Sequence, residues 1–255
     1  MNSVVVIAGN TFREVIRDRI LYGLVVFAVM LLLLSLALGQ LSFDENLRLS
    51  ANFGFTGIHI AVVVLAVFVG SSLVSKEIEK QTILTLLARP ISRAEFILGK
   101  ALGLLLVLKV VAFGLALILS IFLALLDFQF TSVYIFAVAG ILFEAAVLLS
   151  FALFFGSFAK PMMTVVFTVS IFLLGHWVES LHYFISRSES DSFRAIGTAI
   201  SYLIPNLESF NWRSAPVYGA SVELSQVGIA FGSAIGWVTI LVAATVLVFR
   251  RRDFV

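Results

Sequence analysis

Residues 24–38 read LVVFAVMLLLLSLAL, a run with one hydroxyl and no charge that is apolar on every side. A strand of a membrane barrel alternates polar and apolar residues over about ten positions, and a helix lying on a soluble core keeps a polar face. This run does neither, and residues 240–249, ILVAATVLVF, repeat the pattern. A membrane-crossing helix needs roughly 20 mostly apolar residues at about 1.5 Å rise each. Working outward from 24–38, the sequence predicts six such spans, near 20–38, 58–74, 101–126, 133–155, 162–181 and 226–249. Apolar residues make up 61% of the chain and charged ones 13%, against about a quarter charged in a soluble domain. The expected fold is an all-α membrane protein, a single transmembrane domain over residues 1–255, with no Ser/Gly-rich linker or internal repeat to divide it.

The first run is not read as a secretory signal: about twenty residues precede it and no small-x-small site falls before Phe43. The chain has no cysteine, which excludes disulfides, thiolate metal sites and thiol catalysis. Orientation follows from Lys and Arg near the span ends, since basic residues resist translocation. Arg13, Arg17, Arg19, Lys76, Lys80, Arg89, Arg93, Lys100, Lys160 and Arg250 to Arg252 fall on one side; Arg48, Arg187, Arg194 and Arg213 fall on the other. Both termini are therefore expected in the cytosol, as an even number of spans also requires. The net charge of +2 belongs to this basic rim facing anionic lipid and implies no nucleic-acid partner.

Ahead of the first span, the expected interfacial helix of residues 1–19 runs into VIAGNTFREVIRDRILYG, residues 6–23, which places Phe12, Val15, Ile16 and Ile20 at helical spacing and turns Arg13, Glu14, Arg17 and Asp18 elsewhere, the pattern of an amphipathic interfacial helix. A snorkelling extension of the first span is the plainer alternative. Between the second and third spans lies KEIEKQTILTLLARPISRAEFILGK, residues 76–100, the one cytoplasmic connection long enough to present a surface. Glu77, Glu79 and Lys80 precede the apolar Ile83, Leu84, Leu86 and Leu87; Pro90 breaks the helix, and Ser92 with Glu95 forms a capping box for the next one. The predicted shape is helix, sharp turn, helix, with leucines that need a cover.

Ser75-Lys76-Glu77, the run Leu86-Leu87-Ala88-Arg89-Pro90-Ile91-Ser92-Arg93, Gly99-Lys100, and Leu203-Ile204-Pro205-Asn206-Leu207 before the last span carry a resemblance. So does the layout of interfacial helix, six spans and long outer loop. The chain resembles permease subunits of type 2 ABC exporters, in particular the subgroup involved in nitrous oxide reductase maturation. The resemblance implies that residues 76–100 form a coupling element, with Glu77, Glu79, Lys80, Leu86, Leu87, Arg89, Pro90 and Arg93 docking on an ATP-binding subunit. It implies two permeases pairing around the path, as a homodimer or with a similar chain. It also implies an extracytoplasmic gate built from the outer helices, around Pro205 and Asn206. ATP and its Mg belong to the partner, because no G-x-x-x-x-G-K-[ST] loop is present: Gly99-Lys100 is followed by Ala101 and lacks the earlier glycine.

Within the spans, Lys109 and Glu144 fall at similar depths, roughly 14 and 16 Å from opposite sides, and a salt bridge between them is expected. The alternatives are a snorkelling Lys109 with a protonated Glu144, or a proton- or substrate-linked role. Near the end of the fifth span, His176, Glu179 and His182 have donor atoms suited to a transition metal. Their spacing spreads them over about a third of the helix, so an interfacial belt with Trp177 and Tyr183 is favoured, and the chain is expected to hold no metal or cofactor. His59 reads as a lone residue satisfying a local hydrogen bond, and Ser71 and Ser72 lack a nucleophile elbow. Residues 180–225 form the long extracytoplasmic loop, with a predicted amphipathic helix over 193–203 that Pro205 stops.

The expected function is an ATP-driven permease of the inner (cytoplasmic) membrane, acting as an exporter. The alternative is a module that transmits ATP-driven motion to an extracytoplasmic partner without moving cargo. A membrane enzyme is disfavoured, since no nucleophile, base and metal ligands converge. Apolar spans suit lipid-like or amphipathic cargo entering laterally.

Overall fold

The computed structural model describes residues 3–40, 45–79 and 92–251, with side chains over 3–40, 45–72 and 92–250. Helix α1 (Ser3–Ile16) is followed by α2 (Arg19–Gln40), α3 (Asn46–Glu79), α4 (Arg93–Ala124), α5 (Ser132–Gly156) and α6 (Pro161–Arg187). After them come α7 (Asp191–Leu203), a 3-10 turn (Glu208–Phe210), α8 (Ala215–Tyr218) and α9 (Leu224–Arg251). No strand occurs among the described residues, and six helices, α2 to α6 and α9, are long and apolar enough to cross a membrane. The all-helical, six-span expectation is met.

The spans are longer than hydropathy alone predicted. Helix α3 begins at Asn46 rather than near 58, although residues 46–57 carry Asn46, Arg48, Ser50 and Asn52. Its first three turns are held by packing: Ala51 and Phe55 are buried, Gly54 lies against Leu119, and Gly57 against Leu31. Helix α6 runs on to Arg187, so the expected loop of 180–225 narrows to residues 188–223. Helix α4 starts at Arg93 on the expected capping box, where the Glu95 amide donates to Ser92 Oγ at 3.2 Å and the Ser92 amide donates to Glu95 Oε2 at 2.8 Å. Pro161 opens α6, where its missing amide costs nothing.

Helices α3 and α5 form the centre, with α2, α4, α6 and α9 around them. Helix α1 packs along α4, where Gly99 admits Ile7 and Gly103 admits the Ala8 carbonyl and Thr11. Val15 is buried and Phe12 and Ile16 pack on the core, while Ile20 stays exposed. Lys100, buried in α4, reaches Glu14 of α1 at 3.3 Å.

Candidate functional site

Beyond α6, Ser190 Oγ accepts the Phe193 amide and starts α7, the helix expected over 193–203. Its apolar residues Phe193, Ile196, Ile200 and Leu203 are exposed, while Gly197 fits against Ile185 of α6. The chain then turns back into the bundle. Residues 205–219 enter from the end where α3 and α5 begin and α6 ends, and Leu207 and Phe210 become fully buried.

Two glycines make room for this re-entrant segment. A Cβ on Gly140 of α5 would lie 2.2 Å from the Phe210 carbonyl oxygen, and one on Gly175 of α6 would lie 2.6 Å from Leu207 Cγ and 2.9 Å from the Pro205 carbonyl oxygen. Gly140 is eight residues past Ser132 and Gly175 twelve before Arg187, so the segment reaches roughly 12 to 18 Å along the helices. Irregular backbone is tolerated at such depth only where protein surrounds it. Here the Leu207 amide donates to the Gly175 carbonyl at 3.1 Å, the 3-10 turn and α8 satisfy several other amides internally, and Gly219, at φ 66°, ends α8.

At the tip of this segment lies a polar network in apolar surroundings. Glu144 of α5, its side chain 1% exposed, receives His59 of α3, with His59 Nε2 2.9 Å from both carboxylate oxygens. Arg213 of the re-entrant segment donates to His59 Nδ1, so the neutral imidazole carries its proton on Nε2 and gives it to Glu144. Arg213 Nε also donates to Asn211 Oδ1 at 2.8 Å, and Asn211 Nδ2 to Glu208 Oε1 at 2.6 Å. His176 of α6 donates through Nδ1 to the Phe172 carbonyl at 3.1 Å, which leaves Nε2 a bare lone pair. That atom is buried without a hydrogen-bond partner, 3.6 Å from Glu144 Oε1 and 3.9 Å from Glu208 Oε2. Asn206 Oδ1 is a second buried atom with no partner. The Arg213 guanidinium stays cationic in these surroundings. With neutral imidazoles, two carboxylates therefore face one cation.

A family model for ABC-2 family transporter proteins matches residues 5–254. The chain belongs to this family. No curated protein gives a significant match. The ABC-2 chain is thus a multi-pass transmembrane subunit of an ABC transporter, a family that implies an ATP-binding partner.

The ABC-2 fold corrects several expected site residues. Glu144 does not pair with Lys109: its partners are His59 and, more distantly, His176, while Lys109 is exposed on the outside of α4. The depths coincided as expected, but Leu104, Val107, Leu108, Ala112 and Leu115 turn inward, and that helical phase points Lys109 away. His59 is not alone with a local bond; its partners lie 85 and 154 residues away. His176, Glu179 and His182 do not converge: Glu179 and His182 are exposed, His182 bonds the Val178 carbonyl, and His176 turns to the buried network. Pro205 is buried in the re-entrant segment and Asn206 sits beside it, partly buried.

Of the expected coupling residues, Glu77 and Glu79 lie in the last turns of α3. Lys80, Leu86, Leu87, Arg89 and Pro90 lie outside the described residues. Arg93 is engaged within the chain, donating to the Phe249 and Arg250 carbonyls at 3.1 and 2.9 Å near the end of α9. Glu208, Asn211 and Arg213 were missed by sequence reasoning. The signal available was the stretch PNLESFNWR, residues 205–213, where Glu208, Asn211 and Arg213 are interspersed with the large apolar Leu207, Phe210 and Trp212.

Proposed function

We propose that the chain is the permease half of an ATP-driven exporter in the cytoplasmic membrane, with both termini in the cytosol. A second permease copy completes the path, and an ATP-binding subunit docks on residues 76–100. The observation that carries this reading is the re-entrant segment lodged against Gly140 and Gly175, which closes the bundle at the end away from the basic rim. Closure of two ATP-loaded partner subunits would move the coupling element, and the packed spans would carry that displacement to the closed end as a two-state opening. Residues 205–219, including Pro205 and Asn206, form the extracytoplasmic gate in this scheme, and α1 lies in the cytoplasmic interface. The LLARPISR turn supports the nitrous oxide reductase maturation subgroup. A groove between α4 and α9, walled by Leu98, Leu102, Leu105, Val242 and Val246 and ending at Arg250, supports lateral entry of lipid-like cargo.

The test is co-purification of the tagged chain from membranes in mild detergent, with ATPase assay of wild type and Arg89→Glu. Arg93 is left intact because it holds the end of α9. An ATP-binding partner retained by wild type and lost from the variant is the expected result; a permease with no partner and no ATPase overturns the proposal. Transport by the reconstituted complex then separates export from motion passed to an extracytoplasmic partner.

A further inference from the structure

The bare Nε2 of His176 lies 3.6 Å from Glu144 Oε1 and 3.9 Å from Glu208 Oε2, a lone pair beside two carboxylates. Such an arrangement is repulsive unless a proton on Nε2 or a metal ion comes between them, and two carboxylates against Arg213 leave a negative charge for either to balance. One donor atom each from His59, Glu144 and His176 lies within 4.8 Å of the others, the sole such cluster of three among the described residues. They come from three helices, α3, α5 and α6. Ligands around one Zn2+ at about 2.0–2.2 Å reach that spacing after small side-chain shifts. His176 already has the outer-shell support of a metal ligand, since its Nδ1–H is held by a backbone carbonyl with Nε2 left free.

We propose that His59, Glu144 and His176 form a binding site for a divalent transition-metal ion, with the two-imidazole, one-carboxylate donor set that leaves a fourth position open. The site departs from the sequence expectation both in its members and in being a metal site. It also competes with Arg213. To bind metal through Nε2, His59 must carry its proton on Nδ1 instead, and that nitrogen then ceases to accept from Arg213. Metal occupancy and the Arg213–His59 hydrogen bond are mutually exclusive, so the ion would loosen the hold of the re-entrant segment on α3. Glu208, 3.9 Å from His176 Nε2, is placed to take part of the new charge.

The competition makes the test specific. The full chain in lipid nanodiscs, stripped with chelator, is titrated with Zn2+ against a chromogenic chelator. Wild type is expected to take up a single Zn2+ per chain, and His176→Gln or His59→Gln to lose at least the 10–100-fold in affinity that even an outer-shell partner is worth, by order of magnitude. His182→Gln, altered at an exposed histidine outside the cluster, is expected to bind as wild type does. Arg213→Met, which removes the donor that competes for His59, is expected to bind about tenfold more tightly, the gain when a competing state populated about 90% of the time is abolished, and misfolding cannot mimic it. Uptake by wild type no greater than that of both glutamine variants, or no gain in Arg213→Met, overturns the proposal and leaves the cluster a hydrogen-bonded network.

Discussion

At one end of the bundle α1 lies on α4, with Gly99 beneath Ile7 and Gly103 beneath the Ala8 carbonyl; at the other, residues 205–219 lie on α5 and α6, with Gly140 beneath the Phe210 carbonyl and Gly175 beneath Leu207. Both junctions use glycine to let backbones approach, and both add polar groups: Lys100 with Glu14 in the first, and Glu144 and Arg213 with two imidazoles in the second. They differ in what the incoming chain is. Helix α1 satisfies its interior amides within itself, and its buried unpaired atom is a single hydroxyl, Thr11 Oγ1. The re-entrant segment is about half irregular: most of its backbone bonds are internal, it is tied to the spans through the Leu207 amide and the Arg213 side chain, and its junction leaves His176 Nε2 and Asn206 Oδ1 buried without a partner. A helix laid in a groove carries its own backbone hydrogen bonds, whereas the re-entrant segment is tied to α3 and α6 by a few long-range ones.

The largest effect should come from Glu144→Ala. It removes the acceptor of His59 and one of the two carboxylates that face Arg213, at a cost of about 3–5 kcal/mol, visible as a large drop in thermal stability in detergent. A shift within error would mean that the network is not holding the segment. Next is Gly140→Ala, whose methyl meets backbone rather than a flexible side chain. Overpacking of about 1–3 kcal/mol is offset in part by the better helix propensity of alanine, up to about 1 kcal/mol. Because the chain has no cysteine, a single Ala215→Cys on buried α8 reports the segment directly: thiol labelling should speed up several-fold or more in the Gly140→Ala background. Unchanged labelling would equate the two junctions.

Smaller effects belong to the α1 junction. Lys100→Met keeps the buried stem and removes a charge whose partner Glu14 is 60% exposed, so stability should change by about 1 kcal/mol or less, read from the same thermal assay. A loss comparable to that of Glu144→Ala would show that this end, too, depends on charge. Smallest of all is Lys109→Met. The side chain is exposed and is not the partner of Glu144, and the change should stay within about 0.5 kcal/mol; a collapse in stability would restore the salt bridge that the structure dissolves.

Much of the architecture was legible in the sequence. The apolar windows, the Ser92–Glu95 cap and the spacing of Phe12, Val15 and Ile16 are local patterns, and a span depends mainly on the hydropathy of its own residues. The α3 start at Asn46 was hidden, because Asn46, Arg48 and Ser50 lower the local hydropathy while Phe55 and Gly57 supply the packing that holds the helix. The polar site was legible only in its parts. Depth along a span, which the sequence does encode, brought Lys109 and Glu144 to one level. Rotational phase about each helix and the path of residues 205–219 depend on how all the spans pack. Those alone decided that Glu144 faces His59, 85 residues away, that Arg213 reaches the same histidine from 154 residues away, and that Lys109 faces outward.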